Sequence, residues 1–186
     1  VIEVSLKEGL GVQTLVRNGC SITELKIYSD DPCGTWRNQV VKILSDKNPH
    51  LVVIANSVGY PEQDLLGMGE LISRLNKEGT KVLFILPPPG GDEFSGRRAL
   101  AFSPGSTTRS KERPEAISQE KYGLENYQNP KYFQVYDPAK NLCSEDVCVI
   151  AKNGNDYYTY GGHLSAYANQ YLEPTIRNQI FGLLNN

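Results

Sequence analysis

Apolar residues recur along this chain in two rhythms that alternate. Trp36, Val40, Ile43 and Leu44 stand at helical spacing and "KNPH" stops the run, so a helix is expected over residues 36–46. "LVVIA" (51–55) follows, a continuous apolar run of strand length and the pattern of a strand covered on both faces. Leu65, Met68, Leu71, Ile72 and Leu75 then share one helical face that Gly79 closes, and "KVLFIL" (81–86) is a second buried strand, broken by "PPPGG". Upstream, "GVQTLVRNGC" (11–20) reads as a short strand running into a Gly-Cys loop; downstream, "KYFQVYDP" (131–138) resumes strand character. Strand, helix, strand, helix, strand in that order predicts an α/β fold, a parallel sheet with helices on its faces. The chain closes with Leu164, Ala168, Leu172, Ile176 and Ile180, every fourth residue, so a last helix is expected to start at His163 or Leu164 and to kink at Pro174.

Between residues 87 and 130 the periodicity dissolves into Gly, Pro, Ser and mixed charge, with one surface helix expected over 114–122. A stretch of that length inside a compact domain is either a lid or binding loop, or a solvated insertion. Arg97, Arg98, Arg109, Lys111 and Arg113 would suit an anionic or glycan ligand, but Asp92, Glu93, Glu112, Glu115 and Glu120 offset them. No internal repeat and no low-complexity tract interrupts the 186 residues, which have the size of a single domain.

Composition narrows the function classes. With 39% apolar and 22% charged residues the chain is ordinary globular protein. A net charge of -2 and a pI of about 5.8 argue against a nucleic-acid or anionic-membrane partner, which a concentrated excess of Lys and Arg would meet. The longest apolar runs are strand-sized, far short of the roughly 20 residues of a membrane helix. The opening residues have no basic region followed by an apolar one, so an export signal is expected to have been removed or to lie upstream of Val1. The four cysteines fall into local pairs, Cys20 with Cys33 and Cys143 with Cys148, the one connectivity of three that keeps both loops short. Two disulfides and an oxidising, extracytoplasmic setting are therefore expected, the first bridge contributing roughly 2–3 kcal/mol. Four reduced thiols are the alternative. A zinc site is disfavoured, because no CxxC pair occurs and the chain has only two histidines.

In an open parallel sheet, ligands bind outside the carboxyl ends of the strands, so the exit loops are where chemistry is sought. Three polar features stand there. Gly19 follows the first visible strand in "RNGC", Asn56 follows the second in "ANS", and His163 enters the last helix in "YGGHLS". A glycine amide open to an oxyanion, a side-chain amide donor and an imidazole base are parts of a serine acyl-transfer site. Each also has a plainer reading: Gly19 as a tight turn before a disulfide, Asn56 as a turn residue, His163 as a structural hydrogen-bonding group. His50, in "KNPHLVV", reads as an exposed turn residue. Tyr157, Tyr158, Tyr160, Tyr167 and Tyr171 crowd the His163 region as core or rim packing, with aromatic rims also suited to sugar faces.

The order and spacing of "NGCSI", Cys33, "LVVIANS", "KVLFILPPP", "LCSEDVC" and above all "YYTYGGHLS" resemble the SGNH hydrolase superfamily. More closely, they resemble the extracytoplasmic SGNH domain fused to membrane acyltransferases that O-acylate cell-surface polysaccharides. The resemblance implies a three-layer α/β/α, flavodoxin-like fold over residues 1–186, with 87–130 as an insertion or lid-like region. It implies Gly19 and Asn56 as oxyanion donors and His163 as general base, with no metal or organic cofactor. The implied partners are an acyl donor, a carbohydrate acceptor and a fused or associated membrane acyltransferase domain.

Two departures from that pattern carry weight. The family's Gly-Asp-Ser, which holds the nucleophile at the end of the first strand, occurs nowhere in the chain. It is expected upstream of residue 1 together with that strand; the alternative is a diverged domain that has lost catalysis. The family's Asp three residues before the catalytic His, which orients the imidazole, is Tyr160 here, and Asp156 lies seven residues before His163. Losing such an Asp costs about 10⁴ in kcat in serine proteases, whereas losing the serine removes covalent catalysis. Three functions are thus open: transfer of an acyl group, acetyl foremost, to a carbohydrate hydroxyl; hydrolysis of acyl groups from glycans; or non-catalytic glycan binding.

Overall fold

The computed structural model of this chain describes residues 9–17, 20, 22, 32–55, 62–89, 108–112, 124, 129, 131–144, 147–159 and 163–186. Helix α1 (Pro32–Lys47) starts on a proline, whose fixed φ and missing N–H suit a first turn. It stops where Asn48 turns left-handed, φ 42, and sends its N–H back to the Leu44 carbonyl at 3.0 Å. Strand β1 (Leu51–Ala55) leads to α2 (Glu62–Lys77), which Gly79 ends as expected. With φ at 85 that glycine lets the Thr80 N–H reach the Leu75 carbonyl at 3.0 Å. The elements that follow are β2 (Lys81–Ile85), β3 (Thr108–Glu112), β4 (Phe133–Tyr136), the short α3 (Ala139–Leu142), β5 (Val147–Lys152), β6 (Asn155–Asp156) and the long α4 (Ala166–Asn185).

Strands β1, β2 and β4 form a parallel sheet in that order. Alternation along β2 sends its side chains to two different helices. Val82, Phe84 and Leu86 join Ile54 and Phe133 against Met68, Ile72 and Leu75 of α2, whereas Leu83 and Tyr136 meet Ile180 and Leu183 of α4. Helix, sheet and helix are the expected three layers. A fully buried side chain such as Phe84 stabilises them by about 1.5–3 kcal/mol.

A second sheet, β3-β5-β6, is antiparallel throughout. Strands β5 and β6 are joined by Asn153 and Gly154, both at positive φ (51 and 76), the two-residue turn whose twist matches a hairpin. Leu142, Cys148, Ile150, Tyr157 and Tyr158 make its core with Ala168 and Leu172. Helix α4 therefore serves both sheets, its first half against the antiparallel one and its second against the parallel one. Lys81 Nζ, at the amino end of β2, donates to the Leu183 and Leu184 carbonyls at 2.8 and 3.3 Å. The helix consequently runs opposite to the parallel strands and points its amino terminus toward their carboxyl ends.

Several expectations change. Residues 11–17 are irregular, not a strand: Val12 and Val16 stand 43% and 73% exposed, and no described strand pairs with them, so apolar alternation there lacks the partner that a strand requires. The last helix begins at Ala166, not at His163 or Leu164, because Ser165 caps it and Leu164 is bridged to Tyr158. Pro174 lies exposed inside that helix. Strand β3 lies within the 87–130 stretch, while the helix expected over 114–122 falls outside the described residues. Both disulfides are formed, Cys20–Cys33 and Cys143–Cys148, with Cα atoms 5.4 and 3.8 Å apart.

Candidate active site

The candidate site grows from the end of the antiparallel sheet. After β6 the chain stays paired for one more residue, the Tyr157 N–H donating to the Ile150 carbonyl at 2.9 Å. Segment 157–159 then pairs antiparallel with 163–165, Tyr158 standing opposite Leu164. Two backbone bonds frame that pair: the Thr159 N–H donates to the His163 carbonyl at 2.6 Å, and the Ser165 N–H donates to the Tyr157 carbonyl at 2.9 Å. The Thr159 hydroxyl adds a second donor to the same His163 carbonyl at 3.2 Å. Tyr158, 1% exposed, and Leu164 pack into the core beneath, while His163 and Thr159 are exposed. Inward burial of Leu164 thus fixes the outward presentation of its neighbour.

Ser165 completes the frame, buried to 8% exposure with its polar atoms engaged. Its hydroxyl accepts from the Ala168 N–H at 3.0 Å, the capping bond of α4, and donates to the Asp156 carbonyl at 2.5 Å. Its carbonyl accepts from the backbone and side-chain amides of Asn169, at 3.0 and 2.9 Å. Strand β6, the His163 segment and the first turn of α4 are thereby joined through one side chain. A Ser directly ahead of a periodic helical run is a capping signal, and the Asn153-Gly154 pair is a hairpin signal; both were available in the sequence.

Asp156 meets this segment through its carbonyl. Its carboxylate Oδ1 is buried with no hydrogen-bond partner among the described residues, and burial raises the group above the ordinary carboxylate range. Around the base of α4 the tyrosines divide. Tyr157 and Tyr158 are core; the Tyr157 ring meets Tyr167 and Tyr171 edge-on at centroid distances of 5.3 and 5.6 Å, and Tyr171 remains 49% exposed. Burial, with smaller contributions from the Tyr167 and Tyr171 phenols, raises the Tyr157 hydroxyl. Tyr136, at the carboxyl end of β4, is pushed up to about 12 by burial first and then by Asp137 and Tyr171, and its hydroxyl donates to Asn141 Oδ1 at 3.0 Å.

Of the four residues expected in the site, His163 is placed; Gly19, Asn56 and Tyr160 fall outside the described residues. Their chain neighbours are informative. Cys20 is bridged to Cys33 in the first turn of α1, and Ala55 ends β1 in register with Ile85, which in turn pairs with Tyr136 at the end of β4. The carboxyl ends of the three parallel strands are therefore level. His50 is exposed in the bend before β1, its carbonyl accepting from the Lys81 N–H at 3.0 Å. Arg109 and Lys111 lie in β3, while Arg97, Arg98 and Arg113 are outside the described residues. Among the described residues no group of three or more His, Cys, Asp or Glu is placed to hold a metal ion.

A family model described as SGNH domain (fused to AT3 domains) matches residues 1–178. The chain belongs to the SGNH domain family. Comparison with curated proteins and with solved structures finds no match. As an SGNH domain it has a hydrolase-type α/β fold, in agreement with the parallel sheet between α2 and α4. Membership supports an acyltransferase or esterase role, with an AT3 domain as the fused partner. No helix among the described residues is long and apolar enough to cross a membrane.

Proposed function

We propose that this SGNH domain transfers an acyl group, acetyl foremost, from a donor to a carbohydrate hydroxyl at the cell surface. It does so on the extracytoplasmic side, tethered through an AT3 membrane domain. The nucleophilic serine comes from a Gly-Asp-Ser block that residues 1–186 do not contain. That serine Oγ attacks the donor's carbonyl carbon while His163 takes its proton. The tetrahedral oxyanion is held by the Gly19 N–H and the Asn56 side-chain amide. Collapse breaks the bond to the donor's leaving group, which takes the serine proton from His163. The acceptor hydroxyl then attacks the acyl-serine as His163 takes its proton, and the acyl–Oγ bond breaks as that proton passes to the serine Oγ.

The observation that supports this reading best is the exposed imidazole of His163, set just ahead of a helix whose amino terminus points toward the carboxyl edge of the parallel sheet. Both disulfides fit an oxidising compartment. The test is reaction of the whole translated polypeptide with a serine-directed fluorophosphonate. Labelling at one serine is expected, slowed by about 10³-fold or more in His163→Ala; an unlabelled, folded protein overturns the reading. A second reading, a non-catalytic glycan-binding domain, is favoured by Tyr160 in the place of the orienting Asp and by the lack of Gly-Asp-Ser in these residues. Hydrolysis in place of transfer would use the same groups with water as acceptor.

A further inference from the structure

We propose that Thr159 and Ser165 are positioning residues that together hold His163 in its working orientation, an inference that rests on His163 being the base. The sequence pattern assigns neither of them a role, and neither touches the imidazole by any hydrogen bond found among the described residues. They act on the backbone that follows it. Thr159 supplies two donors, its N–H at 2.6 Å and its hydroxyl at 3.2 Å, to the single carbonyl of His163. Two residues on, Ser165 ties the chain to the end of β6 and the residue after it, through its hydroxyl to the Asp156 carbonyl and its N–H to the Tyr157 carbonyl. The two peptide units that follow His163 are thus held against segment 156–159, which continues from a strand that is itself paired to β5.

Such a clamp matters more here than in a domain with the usual Asp. Where a carboxylate bonds the imidazole, it sets the ring's orientation directly. With Tyr160 at that position, the backbone of His163 carries more of the task of aiming the ring, and a misplacement of about 1 Å in a catalytic group is enough to cost about 10²-fold in rate. Ser165 also caps α4, so loss of its hydroxyl has a purely structural consequence that must be separated from positioning. The two bonds of its hydroxyl make that separation possible: the cap needs an acceptor, whereas the bond to Asp156 needs a donor.

The experiment compares Thr159→Val, Ser165→Ala, Ser165→Thr and Ser165→Asp with the wild type in the whole polypeptide. It measures fluorophosphonate labelling rate, thermal midpoint and amide hydrogen exchange. Thr159→Val and Ser165→Ala are expected to slow labelling about tenfold or more. They should also speed exchange at the Thr159 and Ser165 amides while leaving that of Ile180 and Leu183 unchanged. Ser165→Thr, which keeps donor and acceptor, should restore the rate; Ser165→Asp, which keeps only the acceptor, should restore the thermal midpoint but not the rate. Normal labelling in Thr159→Val and Ser165→Ala, or recovery of the rate in Ser165→Asp, overturns the positioning role and leaves the catalytic reading standing. A wild type that is never labelled overturns both, and the exchange data then describe a structural clamp only.

Discussion

The parallel sheet and the antiparallel sheet of this domain are stabilised by different means. In the parallel sheet, β1 and β2 are runs of Val, Leu, Ile and Phe whose two faces bury into separate helices, and Val82, Leu83 and Phe84 have no exposed surface. Its stability comes from apolar area. The antiparallel sheet has a two-residue strand, β6, a register irregularity between Arg109 and Ser110, and a disulfide that bridges Cys143 to Cys148, the second residue of β5. To its smaller apolar core it adds a cross-link, a two-residue turn and hydrogen bonds from Thr159 and Ser165. The histidine belongs to this second region. An apolar sheet thus lies on one side, while a small region with directional bonds holds the backbone of His163, the proposed base.

That contrast can be broken at its strongest point first. Phe84→Ala removes a fully buried ring from between β2 and α2 and is expected to cost about 3–5 kcal/mol in urea unfolding, with loss of exchange protection across both sheets. Replacing Cys143 and Cys148 together by Ser opens a five-residue separation and should cost about 2 kcal/mol. Here the loss should be local: hydrogen exchange is expected to rise in β5 and β6 while β1 and β2 stay protected. Equal loss in both sheets would show that they unfold as one unit.

Lys81→Met tests the link between the two regions, because it keeps the stem but removes the ammonium that caps the last carbonyls of α4. A loss of about 1 kcal/mol is expected, with faster exchange at the carboxyl end of α4 and none at its Ser165 end.

The smallest effect concerns Asp156, whose carboxyl is raised by burial. A raised acid holds its proton longer folded than unfolded, so it weakens the fold as pH climbs above the ordinary carboxylate range. Asp156→Asn should therefore raise the melting temperature at pH 7, by about 2 °C or less. The gain should vanish in acid, where both states are protonated. A gain that persists in acid would point to packing in place of charge.

Legibility followed the same division. Strands 51–55 and 81–85, helix α2 and the alternation that makes the domain α/β were readable because continuous apolar burial leaves a run or a period in the chain. The cysteine pairing was readable from loop length. Strand β3, "TRSKE", leaves no apolar signal, since its pairing to β5 rests on backbone bonds that any sequence can make. The opposite error occurred at residues 11–17, where alternation without a partner produced no strand. At the last helix, fourfold periodicity included Leu164, although that residue is buried by a bridge to Tyr158 and the helix starts past Ser165.

By itself, then, the sequence determined the family, the layering and the histidine proposed as base, because these depend on residue types and their order. Tertiary structure alone decided how the backbone of that histidine is held. Thr159 and Ser165 are ordinary hydroxyl residues until the His163 carbonyl is brought to the first, and the Asp156 carbonyl and the Ala168 N–H to the second, within 2.5–3.2 Å. The physical reason is range: burial is summed over many residues and survives as a pattern, whereas a hydrogen bond depends on the positions of two atoms that only the folded chain brings together.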